Sequence, residues 1–173
     1  MRAVASFHLV NVELAGALCH AAIIVEEQAV ERKLFRKVVH VSKKDGFWDW
    51  IWENAETLKE YDTPVWVFND LRIFLENHAH IDLSGFLSND LALELSGKRG
   101  YAVLVFRQPD VTGLMEQLDS VDMSESVIGR FLNEIYGENA VIENNQQLID
   151  ALSVFQSSLS RIDKDRFGLL SLG

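Results

Sequence analysis

The apolar residues of this chain come in short runs, and the spacing within those runs changes along its length. Residues 4–13, 20–26 and 33–42 are strand-length spans rich in Val, Ile, Phe and Leu, whereas beyond residue 110 the apolar positions recur at helical spacing. Such a chain folds as mixed α/β structure, since strand runs must pair edge to edge and helical stripes must bury one face. No stretch of about 18 uninterrupted apolar residues occurs, so no membrane span is expected. The two prolines, Pro64 and Pro109, mark no linker, and 173 residues suit a single domain over 1–173. Little positive charge precedes the first apolar run, and His8, Asn11 and Glu13 interrupt it. A signal peptide is therefore not expected, and a cytoplasmic location is.

The three opening segments read as an antiparallel meander with a turn around Gly16, although in the third Val30, Leu34 and Val38 also suit a helix, against the β-branched run Val38, Val39 and Val41 that favours a strand. Asp45 and Gly46 open a helix running to about Glu60, with Phe47, Trp48, Ile51, Trp52, Ala55 and Leu58 on one arc. Residues 65–68 read as a short strand after Pro64, and Asn69 or Asp70 then caps a helix that buries Leu71, Phe74 and Leu75. Residues 91–95 and 101–106 flank a plausible hairpin loop at 96–100. Three helices follow, with Asp110, Ser124 and Asn144 or Asn145 as their N-caps and Gly137 stopping the second. The expected architecture is a central sheet with helices on both faces and a helix-rich C-terminal part.

The net charge of −10 is unevenly spread. Residues 1–45 carry seven Lys/Arg against five Asp/Glu, residues 46–97 ten acids against two bases, and residues 110–173 eleven against four. Overall acidity disfavours indiscriminate binding to a phosphate backbone. It leaves a basic strip of Arg32, Lys33, Arg36, Lys37, Lys43 and Lys44. Within it Lys33, Arg36 and Lys37 are the candidate nucleic-acid contacts, a solvated face being the plainer account. On the helix expected after Gly46, Asp49, Glu53, Glu56 and Glu60 form an acidic stripe, with Trp50 outside the buried arc. Those five residues suit an inhibitor or immunity-type role, masking a basic protein partner, because complementary charge speeds association and selects the partner.

Some residue types point to metal chemistry. Asn11 and Glu13 close the first expected strand, where residues two apart share a face. Asp70 follows the strand expected at 65–68, and Asn145 and Asp150 lie in the last expected helix. A three-stranded meander followed by a helix and a strand is also how a ribonuclease H-like sheet begins. Together these features resemble a degenerate DEDD-type 3′–5′ exonuclease of the ribonuclease H-like fold. In that family the first strand carries Asp-x-Glu, a middle helix begins with a Phe-Asp element, and a late helix carries His-x-x-x-x-Asp. The resemblance implies that Glu13, Asp70 and Asp150 are three of the four acids that hold Mg²⁺ or Mn²⁺. It implies that Asn11 replaces the first Asp, and that Asn145 replaces the general-base His. An amide cannot bridge metals as a carboxylate does, and Asn145 cannot take a proton from water. The function implied is nucleic-acid-directed, with a weakened or inactive nuclease site.

Other clusters have plainer accounts. His78, His80 and Asp82 would align in an extended segment as metal ligands, but such a trio at a helix end arises easily by chance. Gly97, Lys98, Arg99 and Gly100 lack the length and Ser/Thr of a P-loop and read as a charged hairpin tip. Cys19 reads as an inert thiol in an apolar run, and His8, His20 and His40 as core or rim histidines.

Overall fold

The computed structural model describes residues 4–33, 36–137 and 143–172, with side chains described for 5–29, 39–58, 64–137 and 145–172. The first strand, β1 (Val4–Asn11), is covered on both sides. Ala5, Phe7 and Leu9 alternate with His8 and Val10, and all five are buried. A strand buried on both faces belongs in the interior of a sheet, and β1 is flanked by β4 (Ala55–Pro64) and β6 (Arg166–Leu172). β5 (Val103–Phe106) pairs with the far side of β6, giving the order β4-β1-β6-β5 with every pairing antiparallel.

Between β1 and β4 the chain makes a 3-10 turn (Val12–Leu14), helix α1 (Ala15–Ala21), strands β2 (Val25–Lys33) and β3 (Arg36–Lys44), and helix α2 (Phe47–Asn54). After β4 come α3 (Val65–His78), α4 (Ser84–Ser88) and α5 (Asp90–Arg99). Beyond β5 lie α6 (Gln108–Leu118), α7 (Glu125–Tyr136) and α8 (Glu143–Leu159), and β6 ends the described chain. Among the described residues no helix is long and apolar enough to cross a membrane.

The alternation of the strands divides the core in two. On one face Phe7, Leu9, Leu104, Phe106 and Leu170 pack against Leu71 and Phe74 of α3, Leu114 of α6, Phe131 of α7 and Phe155 of α8. On the other, Val10, Val103, Val105, Phe167 and Leu169 meet Leu18 of α1, Phe47 and Ile51 of α2, and Leu91 and Leu95 of α5. Each such fully buried side chain contributes about 1.5–3 kcal/mol before entropy is set against it. The expected mixed α/β sheet with helices on both faces and a helix-rich C-terminal part is present.

The expected opening meander is not. β1 pairs with β4 and β6, while among the described residues β2 and β3 pair only with each other. Residues 15–21 are helical because Leu14, Leu18 and Ala22 recur every four residues and reach the second core together. The helix expected through Glu60 stops at Asn54, where β4 takes over to pair with β1, Leu58 lying opposite Phe7. Residues 65–68 are not a strand but the first turn of α3, which starts directly after Pro64, so Asn69 and Asp70 are not caps. Residues 91–95 are helical: Asn89 caps α5 by accepting from the Ala92 N–H at 3.0 Å, and Gly100 ends it at φ 73°. Glycine adopts that left-handed geometry without strain. The terminal strand β6 had no expectation at all.

Candidate functional site

Asn11 is the last residue of β1, and Glu13 lies in the 3-10 turn beyond it, exposed. The turn removes the strand alternation that would have aligned them. Asp70 is buried within α3, and both its carboxylate oxygens accept from the Tyr136 hydroxyl of α7 at 2.8 Å. Burial pushes the Asp70 carboxyl up, with the Tyr136 bond acting in the opposite direction. The Tyr136 phenol is itself pushed up to about 12, by burial and by the adjacent carboxylate. Asp150 is exposed on α8 and accepts from Gln146 at 2.7 Å, and Asn145, one residue before Gln146, is half-buried near the start of the same helix. Among the described residues no three His, Cys, Asp or Glu side chains form a group able to hold a metal ion, so Glu13, Asp70 and Asp150 make no such set.

The His78, His80 and Asp82 trio is also dispersed by local structure. His78 stacks on Phe74 at 5.5 Å and meets Phe131 edge-on at 5.2 Å. Asp82 accepts from the backbone N–H and the hydroxyl of Ser84, both at 2.7 Å, and these bonds hold its carboxyl below the usual range.

The acidic stripe is broken. Asp49 and Glu53 remain on α2, but Glu56 lies on β4, where it pairs with Arg161 and, at 3.0 Å, with Arg166. Glu60 has a side chain outside those described. Trp50 is half-buried against the second core, and Trp52, expected inside, is 69% exposed. Helical phase over eight residues, set by Phe47 and Ile51 facing inward, fixes that exchange.

At the end of α5 the residues expected at a hairpin tip hold the fold together. Arg99 is buried, with its guanidinium donating to both oxygens of Asp45 at 2.7 and 2.6 Å and lying 4.6 Å from the Phe47 ring centroid. Lys98 donates to Glu94 at 2.6 Å and to the Cys19 carbonyl at 2.9 Å. Burial, and then Glu94, push the Cys19 thiol up, which favours its protonated form. His8 is a core histidine, as expected. Its Nδ1 is hydrogen-bonded to the Thr57 hydroxyl at 3.0 Å, while its Nε2 and the Ser171 hydroxyl have no partner among the described residues.

Two features among the described residues stand out from the packed body. The first is the β2–β3 ribbon. Its described side chains, residues 25–29 and 39–44, are all exposed, those of alternate residues pointing to opposite faces. Nine-residue strands extend about 30 Å. Residues 25–44 hold six of the 16 Lys/Arg and three of the 26 Asp/Glu, so a basic arm stands on an acidic body. Backbone register places Arg32 opposite Lys37 and Lys33 opposite Arg36 at the closed end. The side chains of Lys33, Arg36 and Lys37 lie outside the described residues. The sequence signal for this arm was the β-branched run Val38, Val39, Val41 inside a basic segment.

The second is a cavity of about 480 Å³ at one end of the sheet. Val12 and Ala15 after β1, Arg107 and Pro109 at the start of α6, and Lys164, Arg166 and Phe167 before and within β6 line it. Its walls come from three distant segments, so no local motif announces it.

No protein-family model matches the chain, and searches of curated proteins and of solved structures found no significant match.

Proposed function

We propose that the chain is a non-catalytic nucleic-acid-binding protein that reaches its ligand with the β2–β3 ribbon. The observation that carries this is the pairing of Arg32 with Lys37 and Lys33 with Arg36, at the closed end of an arm whose described side chains are all exposed. Like charges at directly opposed positions weaken an antiparallel pair, and a polyanion relieves that cost. The major groove of duplex DNA is wide enough to admit a two-stranded ribbon. Repulsion between phosphates and the acidic body leaves the arm as the favoured approach. Exposed Val25, Val39 and Val41 add apolar surface for a bound partner to cover. The nucleic-acid role expected from the sequence is thereby kept, and its catalytic component is not carried forward.

The test is fluorescence anisotropy of a labelled duplex of about 20 base pairs, titrated between about 50 and 200 mM salt. Neutralising four phosphates gives a slope of roughly −3 to −4 in log K against log salt. The quadruple variant R32E/K33E/R36E/K37E should bind at least about ten-fold more weakly at the lower salt. Absence of binding by the unmodified protein, or unchanged binding by the variant, overturns the proposal. So does preferential binding of an acidic protein over the duplex. Degradation of the labelled strand in Mn²⁺ buffer would overturn its non-catalytic part.

A further inference from the structure

We infer that the cavity at the sheet end binds a small amphipathic anion, with its apolar body on Val12, Pro109 and Phe167 and its charge taken by Arg107 and Lys164. Arg166 donates to Asp163 at 2.9 Å, to Glu56 at 3.0 Å and to the Arg161 carbonyl at 3.2 Å. Asp163 in turn accepts from Arg166 and from the Asp165 N–H, and these bonds hold its carboxyl below the usual range. That leaves Arg107 and Lys164 as lining charges without an ion pair among the described residues.

Apart from Gln108, the remaining lining is apolar. Val12 is 52% exposed, yet it stands in a concave site beside the buried ring of Phe167. The walls are preformed. The Val12 N–H donates to the Asp165 carbonyl at 2.9 Å, joining the turn after β1 to the segment before β6. The third wall is held by the start of α6, where the Asp110 and Val111 N–H groups donate to the Arg107 carbonyl at 3.1 and 3.0 Å. The helix terminus itself contributes little attraction, because Pro109 has no N–H and Asp110 is acidic. The charge selectivity therefore comes from the two side chains. A volume of about 480 Å³ is within the range of pockets that enclose small ligands.

The inference uses no ribbon residue, so it and the nucleic-acid proposal fail separately. The first probe is anilinonaphthalene sulfonate, an apolar bicyclic anion whose fluorescence rises on burial, against its uncharged analogue N-phenyl-1-naphthylamine. One saturable site for the anion is expected, with the neutral analogue about ten-fold weaker, the factor one lost charge contact typically represents. R107E/K164E should weaken the anion by at least about ten-fold and leave the neutral analogue unchanged. Val12→Trp, at an exposed position that tolerates bulk, should fill the site and remove both. Displacement of the probe by octanoate assigns an aliphatic carboxylate, and displacement by phenyl phosphate an aryl phosphate. Unchanged anion affinity in R107E/K164E overturns the inference. So does loss of probe binding on excising the ribbon, or equal displacement by inorganic phosphate, which has no apolar body.

Discussion

His8 occupies the central strand with 1% of its surface exposed, and burial lowers its imidazole from 6.5 to about 4. A depressed folded-state value means that the unfolded chain takes up the proton first. The stability His8 contributes is complete above pH 6.5 and is lost as pH falls from 6.5 towards 4. At 1.36 kcal/mol per unit the loss approaches roughly 3 kcal/mol. Asp70 acts oppositely: its carboxyl is raised, so its contribution is complete at low pH and lost as pH rises through its folded value. The lowered carboxyls of Asp45, Asp82 and Asp163 lose theirs only below 3.8, outside the His8 window. Urea unfolding of the wild type should therefore show stability declining between pH 6.5 and 4, and His8→Gln should largely remove that decline. An unchanged profile in the variant would locate the proton uptake elsewhere. The sequence placed His8 in a core or rim, from a lone histidine in an apolar run. Which ring nitrogen is bonded depends on Thr57, 49 residues away, and no local pattern encodes that.

Periodicity misleads at the level of elements where a neighbouring strand competes for the same residues. Phe47 to Leu58 trace one helical arc, but only the first half is helix. From Ala55 the chain pairs residue by residue with β1, Ala55 opposite Val10 and Leu58 opposite Phe7. A buried strand edge must have its N–H and C=O groups satisfied, and that demand outweighs a weak helical preference. The ribbon is a different case. Its second strand, β3, overlaps the strand expected at 33–42, but β2 runs over Val25–Lys33 where a strand was expected at 20–26, because a strand that needs only one partner can slide until its register suits that partner. Since Val25 pairs with Lys44, a short Gly-rich turn can replace residues 25–44 without moving either end. The excised protein should keep its helical circular dichroism and melt within about 4 °C of the parent, the shift expected for roughly 1 kcal/mol. A fall well beyond that would show that the body depends on the arm.

At the scale of the molecule, the last strand completes what the first begins. β6 pairs along the whole of β1 from Ala5 to Asn11, and carries β5 on its other edge. It also supplies Leu170 to one core and Phe167 and Leu169 to the other. Gly168 permits the closure, since an added Cβ there would stand 2.6 Å from the Phe7 ring. Truncation after Asp165 should abolish cooperative unfolding and the near-ultraviolet signal of the packed aromatics, even though every helix remains in the chain. A cooperative transition in the truncated protein would mean that β1 and the helices suffice for the core.

The sequence alone determined the α/β class, α3 from its buried Leu71, Phe74 and Leu75, the strand around residues 103–106, and the three helices that follow. Each has an apolar stripe or run whose period needs no distant partner to be read. Only the tertiary structure decided that β1 pairs with β4 and β6 rather than β2, that Arg99 turns inward onto Asp45, and that Trp52 faces out while Trp50 packs. Those outcomes rest on contacts between residues far apart in the chain, where satisfying a sheet edge or a buried charge outweighs what neighbouring residues prefer.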